Sequence, residues 1–340
     1  MSTLDQIGYF KKLITLELFF KNTKFPLIIL SSISKLPSLA TLRLVIVHDP
    51  GRLILDAEAP AKPVVYSFSN LENLKVKGSA SVALSILDSI YGERLLRVTL
   101  KLGAFSTHSD AIKGCIKRCP EMAPYMLFFS ISVSGPIPLP MDVFAPLLNS
   151  YRQLRSLTIE SVALTIQHFR DLFDRVWAGF AWSALEILKL EVDGQAPGWL
   201  RIDEMVPLSS LSMLAASCPR LHTLELSLYH PLGEEGGRAT EVLTTYIQSS
   251  RLTDHKLTHL EIVFLDPFVS EPQPAQPGNM QQALDVSRFI DHIFPNVQHV
   301  EISDGFGVRS NWCALIHILM EHYKDVREKM EAKGKPIIPN

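Results

Sequence analysis

The chain is short of the features that usually announce a chemistry. Its four cysteines in 340 residues, Cys115, Cys119, Cys218 and Cys313, form no C-x-x-C pair and no zinc-type spacing, which argues against a disulfide framework or a structural zinc site. Its longest apolar stretch, Phe25 to Leu30, is too short to cross a bilayer. No G-x-G-x-x-G or P-loop offers backbone amides to a phosphate, and neither a G-x-S-x-G elbow nor an H-E-x-x-H helix occurs. Net charge is only −2, and charged residues are 20% against 47% hydrophobic, which excludes a disordered polyion and disfavours a nucleic-acid binder. The opening MSTLDQIGYFKK carries Asp5 and lacks the apolar region of a secretory signal. These absences predict a reduced, cytoplasmic or nuclear protein that is not an enzyme, with no cofactor, no metal, no nucleic acid and no membrane among its partners.

What the chain does contain is repetition. An L-x-x-L-x-L pattern, or an Ile, Val, Phe variant, begins at Leu13, Leu39, Leu71, Leu95, Phe128, Leu154, Leu185, Leu221, Leu257 and Val297. Any one copy is weak evidence, but ten in order define a repeat array. The fourth and sixth positions are two apart and point to the same side of a strand, into a core, while the third and fifth point away. One strand with its following helix cannot bury its apolar side alone. Copies must therefore stack, and the fold class expected is α/β: a leucine-rich-repeat solenoid, or horseshoe, with a parallel sheet on the concave face and helices on the convex face. The organisation expected is a lead-in over 1–12, about ten irregular repeats over 13–310, a capping helix over 311–333 and a tail over 334–340.

Between the copies, apolar residues return every three or four positions, which predicts helices over Ala80–Ile90, Asp110–Arg118, Val162–Ala178, Glu241–Gln248 and Val286–Phe294. Three copies are entered through an x-P-x-apolar turn, LPSL at Leu36, CPRL at Cys218 and FPNV at Phe294; CPEM at Cys119 reads as a fourth, displaced from its strand by an insertion. Asn311 is placed to cap a last helix from Trp312, with Leu315, Ile316, Leu319, Tyr323, Val326 and Met330 on one stripe and Glu321, Lys324, Arg327 and Lys329 facing water.

The C-P-x-L turn leading into L-x-x-L-x-L, with irregular helical repeats from Leu13 to Ile302, resembles the leucine-rich repeats of F-box proteins, most of all the divergent fungal versions. The resemblance implies a substrate-recognition region of a ubiquitin-ligase adaptor. The family's F-box is a helical module ahead of the repeats that opens with an L-P-x-E-like segment. Only twelve residues precede the first copy, so the docking role of that module passes to no residue of this chain. A ubiquitin-ligase scaffold is a partner only if an upstream F-box exists. The alternative is a free-standing repeat scaffold unconnected with ubiquitin.

Binding residues in such an array are expected on the outward positions and on loops after the strands, which are free of the core. Early copies offer Arg43, Lys75, Lys77, Arg97 and Lys101, middle copies Ser130, Ser132, Ser134, Ser156 and Thr158, and late copies Glu191, Glu225, Glu261 and Glu301. The face runs from basic through hydroxylated to acidic. Glu225, Glu261 and Glu301 are predicted to align as a row of like charges, answered by Lys189 at one end only, so a basic protein partner or simple solvation would relieve it. His259 and His299 flank that row and could make binding depend on pH, but no third ligand of fixed geometry is at hand for a metal. Long insertions at Asp193–Pro207, Tyr229–Arg238 and Asp266–Asn279 bring Trp199 and Phe268, with Asp203, Glu204, Glu234 and Glu235, towards the same edge. They read equally as a partner-binding cluster or as tolerated surface loops. Another insertion, His48–Pro63, shows no evident chemistry. Cys115 and Cys119 lie one helical turn apart beside Lys113, Lys117 and Arg118, cations able to lower a thiol pKa, although a structural helix is the better account.

Overall fold

Nine of the ten copies of the pattern start a strand at their third position, where alternation begins to send apolar residues to one side. The computed structural model describes residues 10–21, 25–47, 64–103, 109–134, 139–144, 147, 150–160, 162–163, 167, 182–191, 206–229, 234–249, 255–264, 277–304 and 311–332. The chain divides into two compact units, Met1–Ser161 and Val162–Asn340.

In the first unit six parallel strands follow chain order: β1 Thr15–Lys21, β2 Thr41–Val47, β3 Asn73–Ser79, β4 Arg97–Gly103, β5 Phe128–Ser134 and β6 Ser156–Glu160. Helices α1 Ile28–Ile33, α2 Ala80–Asp88 and α3 Ser109–Met122 connect them. The register lines up Leu42, Leu74, Val98, Phe129 and Leu157 in one inward row and Leu44, Val76, Leu100, Ile131 and Ile159 in the next, all buried. On β1, at the edge, the equivalent Leu16 and Leu18 are only half-buried. Ser79 opens α2 by accepting a hydrogen bond from the Val82 amide, which satisfies one of the free N–H groups of its first turn.

In the second unit four parallel strands, again in chain order, are β7 Ile187–Glu191, β8 Thr223–Leu228, β9 His259–Phe264 and β10 His299–Asp304. Helices α4 Leu211–Ser217, α5 Glu234–Ser249, α6 Pro277–Ile293 and α7 Asn311–Ala332 accompany them. Leu188, Leu224, Leu260 and Val300 form one buried row, with Phe289 and Phe294 among the largest enclosed side chains. The architecture is α/β with parallel, unclosed sheets.

Seven of the turns that set a strand's frame are built alike. The amide of the first-position residue donates to the carbonyl three residues back: Leu13 to Phe10, Leu39 to Leu36, Leu95 to Gly92, Leu185 to Trp182, Leu221 to Cys218 and Val297 to Phe294, at 2.9–3.4 Å. In the fifth copy that bond runs from Met126 to Ala123, at 3.2 Å, so the copy begins at Met126, two residues before the Phe128 expected from sequence. Phe128 pairs with Arg97 and Ser156, third-position residues that face outward, and the fifth-position residue is Ser130 rather than Ser132. The proline turn of this copy is APYM at Ala123–Met126. CPEM is no turn: Pro120 lies inside α3, in its last turn, where it withholds one N–H from the helix and precedes its end by two residues. No insertion separates α3 from β5.

Neighbouring turns are tied to one another by side chains. Asn70 donates to the Pro37 carbonyl at 2.6 Å and accepts from Arg94 at 3.0 Å. The buried Tyr151 hydroxyl lies 2.7 Å from the Ala123 carbonyl and 2.9 Å from that of Cys119. In the second unit His255 bridges to the Cys218 carbonyl, and Asn296 donates to the His255 carbonyl, both at 2.9 Å. These ties bring donors to carbonyls of turns and of the end of α3, outside the strand ladder.

Other expectations need adjustment. The helix expected over Ala80–Ile90 stops at Asp88, and Ile90–Tyr91 is a short strand paired with Tyr66–Ser67. Val162–Ala163 is extended rather than helical; most of the remainder of that predicted helix lies outside the described residues. The insertion Tyr229–Arg238 ends in helix from Glu234, and Asp266–Asn279 from Pro277. At its start, Tyr229 is buried and bridges Pro207, so the flanks of two insertions belong to the core. Helix α7 packs on α6 and β10, but through Cys313, Ile316 and Met320; Val326 is exposed, and Arg327 reaches back to an ion pair with Asp291 instead of facing water. Among the described residues no helix is long and apolar enough to cross a membrane.

Candidate interaction face

The outward positions carry the charge pattern. In the second unit Lys189, Glu225, Glu261 and Glu301 stand at one register position on β7 to β10, so three carboxylates sit on successive strands, roughly 4.8 Å apart. Lys189 Nζ is 2.6 Å from Glu225 Oε2. Its ammonium is held above its ordinary pKa, first by that hydrogen bond and then by the charges of Glu225, Glu261 and Glu191. Glu261 in the centre receives the poorest compensation. Partial burial, then the charges of Glu225 and Glu301, push its carboxyl above the usual carboxylate range, with Lys189 and His259 opposing. Glu191 is exposed at the end of β7. His259 and His299 are cross-strand neighbours with ring centroids 6.1 Å apart. The described residues contain no group of three or more His, Cys, Asp or Glu side chains placed to hold a metal ion.

Relief of the central carboxylate has a measurable consequence. A raised folded-state pKa means that the native state holds a proton the unfolded chain has released. Stability is therefore lost as pH rises through the window from the ordinary carboxylate pKa to the raised one. Glu261→Gln is expected to stabilise the protein at pH 7–8 by a few tenths to about 1 kcal/mol, an advantage that disappears below about pH 4.5. Urea denaturation of both proteins across that range checks it; a variant less stable at pH 8 would contradict the unfavourable row.

In the first unit the outward rows carry cations. Arg43 Nη1 lies 3.2 Å from both carboxylate oxygens of Glu17 on the neighbouring strand. Lys75 aligns with Arg43 and Thr99, and Lys77 with Lys101. The Arg97 guanidinium carbon sits 4.4 Å from the centroid of the Phe128 ring, a cation–π contact created by the two-residue shift of the fifth copy. Sequence reading missed this contact, although APYM matched the other proline turns and could have set the frame.

Trp199 and Phe268, with Asp203 and Glu204, lie outside the described residues. The thiols are not activated. All four cysteines are free and buried. Burial pushes Cys115 and Cys218 up to about 12 and Cys119 higher, while Cys115 Sγ lies 3.5 Å from the Ala80 carbonyl and Cys119 Sγ 3.2 Å from that of Cys115. The lysines and arginine of α3 do not offset the loss of water.

No protein-family model matches the chain, and no curated protein is similar to it in sequence.

Proposed function

We propose that the chain is a leucine-rich-repeat array that binds other proteins through the outward face of its sheet without catalysing a reaction, in the cytoplasm or nucleus. The sharper form of this reading is the substrate-recognition region of an F-box-type ubiquitin ligase. One observation carries the binding face: an aligned row of three carboxylates, held together at a cost to the fold and only partly answered by Lys189. A basic segment of a partner would supply counter-charge to Glu261, the carboxylate that its neighbours in the row disfavour. The flanking His259 and His299 would strengthen repulsion of such a partner if protonated.

Charge reversal tests the face. Glu225→Lys, Glu261→Lys and Glu301→Lys together are expected to weaken capture of a basic partner at least about tenfold. Glu→Gln at the same positions should give a smaller loss, with circular dichroism unchanged. Equal capture by all three proteins would remove the acidic row from the function. The ubiquitin connection is tested separately, by purifying the full-length gene product from its own cells. Ligase scaffold subunits among the co-purifying proteins support it, and partner capture without them favours a free-standing scaffold.

A further inference from the structure

The first unit presents the opposite problem to the acidic row. Its outward rows on β2, β3 and β4 carry Arg43, Lys75, Lys77, Arg97 and Lys101. Arg43 is matched by Glu17. Lys75, Lys77 and Lys101 have no anionic partner among the described residues, and Lys77 stands directly across from Lys101 on the next strand. Like charges so placed are unfavourable, and folding gains nothing from them. Among the described residues the outward carboxylates nearest in register are Glu17, already engaged, and Glu160, two strands beyond Lys101. Glu72 and Glu93 precede the strands.

Arg97 sharpens the chemistry. The Phe128 ring lies beneath its guanidinium and restrains the side chain, while none of the guanidinium N–H groups has an acceptor among the described residues. A planar fork already held in place binds a carboxylate in two-point fashion with less loss of freedom than a lysine would suffer. Arg97, Thr99 and Lys101 face outward along β4 at steps of roughly 6.6 Å, and Lys75 and Lys77 flank them one strand spacing away, about 4.8 Å. The hydroxyls of Thr99, Ser130 and Thr158 continue the middle row. Carboxylates at alternate residues of an extended polypeptide repeat at the same step. The aromatic ring beside these cations, Phe128, has a face taken by Arg97, and the other exposed ring on this face among the described residues, Phe19, stands two strands from Lys77, so no series of rings follows the cations as a base-stacking platform would.

We infer that the outward face of β3 to β5 binds an extended acidic polypeptide segment with carboxylates at alternate positions, received by Arg97, Lys75, Lys77 and Lys101. This rests on the reading of the outward sheet face as a binding surface, and assigns the first unit a ligand of opposite charge to the one proposed for the second. The test uses the full chain and three fluorescent dodecapeptides with Asp, Asn or Lys at every second position, followed by anisotropy at low and physiological salt. The Asp peptide is expected to bind about tenfold or more tighter than the Asn peptide and to weaken as salt rises. Lys77→Glu with Lys101→Glu should abolish the preference, Lys77→Gln with Lys101→Gln should reduce it, and Gln at Glu225, Glu261 and Glu301 should leave it intact. Equal binding of Asp and Asn peptides, an unchanged preference in the doubly substituted proteins with native circular dichroism, or a single-stranded DNA dodecamer binding tighter than the Asp peptide would each overturn the inference. If the Lys peptide binds and the Asp peptide does not, this inference fails and the binding face stands; if neither binds, both fail.

Discussion

Replacing His255 by alanine is expected to destabilise the protein by roughly 3–5 kcal/mol at pH 8. The imidazole is buried between two turns: Nε2 lies 2.9 Å from the Cys218 carbonyl, and the Leu257 amide donates to Nδ1 at 3.1 Å. A carbonyl only accepts, so Nε2 carries the hydrogen and the ring is neutral. The ring also meets Phe294 edge-on, with centroids 5.1 Å apart. Alanine removes all three contacts and leaves the buried Leu257 amide without its acceptor, while the Cys218 carbonyl keeps only the Leu221 amide. In seven other copies the first-position amide bonds a turn carbonyl; here the His255 side chain takes that bond.

The same geometry fixes the pH dependence. Burial lowers the His255 pKa below the ordinary histidine value of 6.5, outweighing the hydrogen bond to Cys218. Below pH 6.5 the unfolded chain takes up a proton that the native state refuses. The stabilisation is fully present above pH 6.5 and is lost as pH falls through the folded-state pKa, with a slope of at most about 1.4 kcal/mol per pH unit. Urea denaturation from pH 8 to 5 should show the gap between wild type and His255→Ala narrowing towards acid. A gap that stays constant, or a cost under about 1 kcal/mol at pH 8, would mean that the ring is not a neutral tie.

The second large effect distinguishes two adjacent phenylalanines. Phe129→Ala is expected to cost about 3–5 kcal/mol, because Phe129 is fully enclosed in the row with Val98 and Leu157 and leaves a cavity between rigid strands. Phe128→Ala should cost only about 1 kcal/mol, the order of a partly exposed cation–π pair with Arg97. If the copy began at Phe128 instead of Met126, Phe128 would occupy the buried first position and its removal would be the costly one. Guanidinium denaturation of the two variants decides the frame; comparable losses would contradict the register.

Much of the architecture was legible because burial repeats. Two positions of every six must be apolar for a strand to reach the core, and this spacing survives the substitution of Ile, Val or Phe for Leu. The prolines marked turns for an equally local reason, having no N–H to extend a helix. The acidic row followed from the same spacing, since Lys189, Glu225, Glu261 and Glu301 occupy equivalent positions and parallel pairing sets equivalents side by side. Where two alignments of one segment both looked periodic, as in MLFFSISV, periodicity could not choose between them. The Met126 to Ala123 hydrogen bond could.

The sequence by itself determined the repeating strand, its inward rows and the residue types on its outward ones, because these depend on contacts between positions two apart. Tertiary structure alone decided what those outward groups meet: Arg97 on Phe128, Lys77 beside Lys101, Glu261 short of counter-charge, His255 in place of a backbone bond. The first three depend on residues 24 to 40 positions apart, brought together by the stacking of copies whose intervals differ; His255 joins an amide two residues on to a turn 37 residues back, and all four depend on the local loss of water that turns a charge or an amide into a group needing a partner.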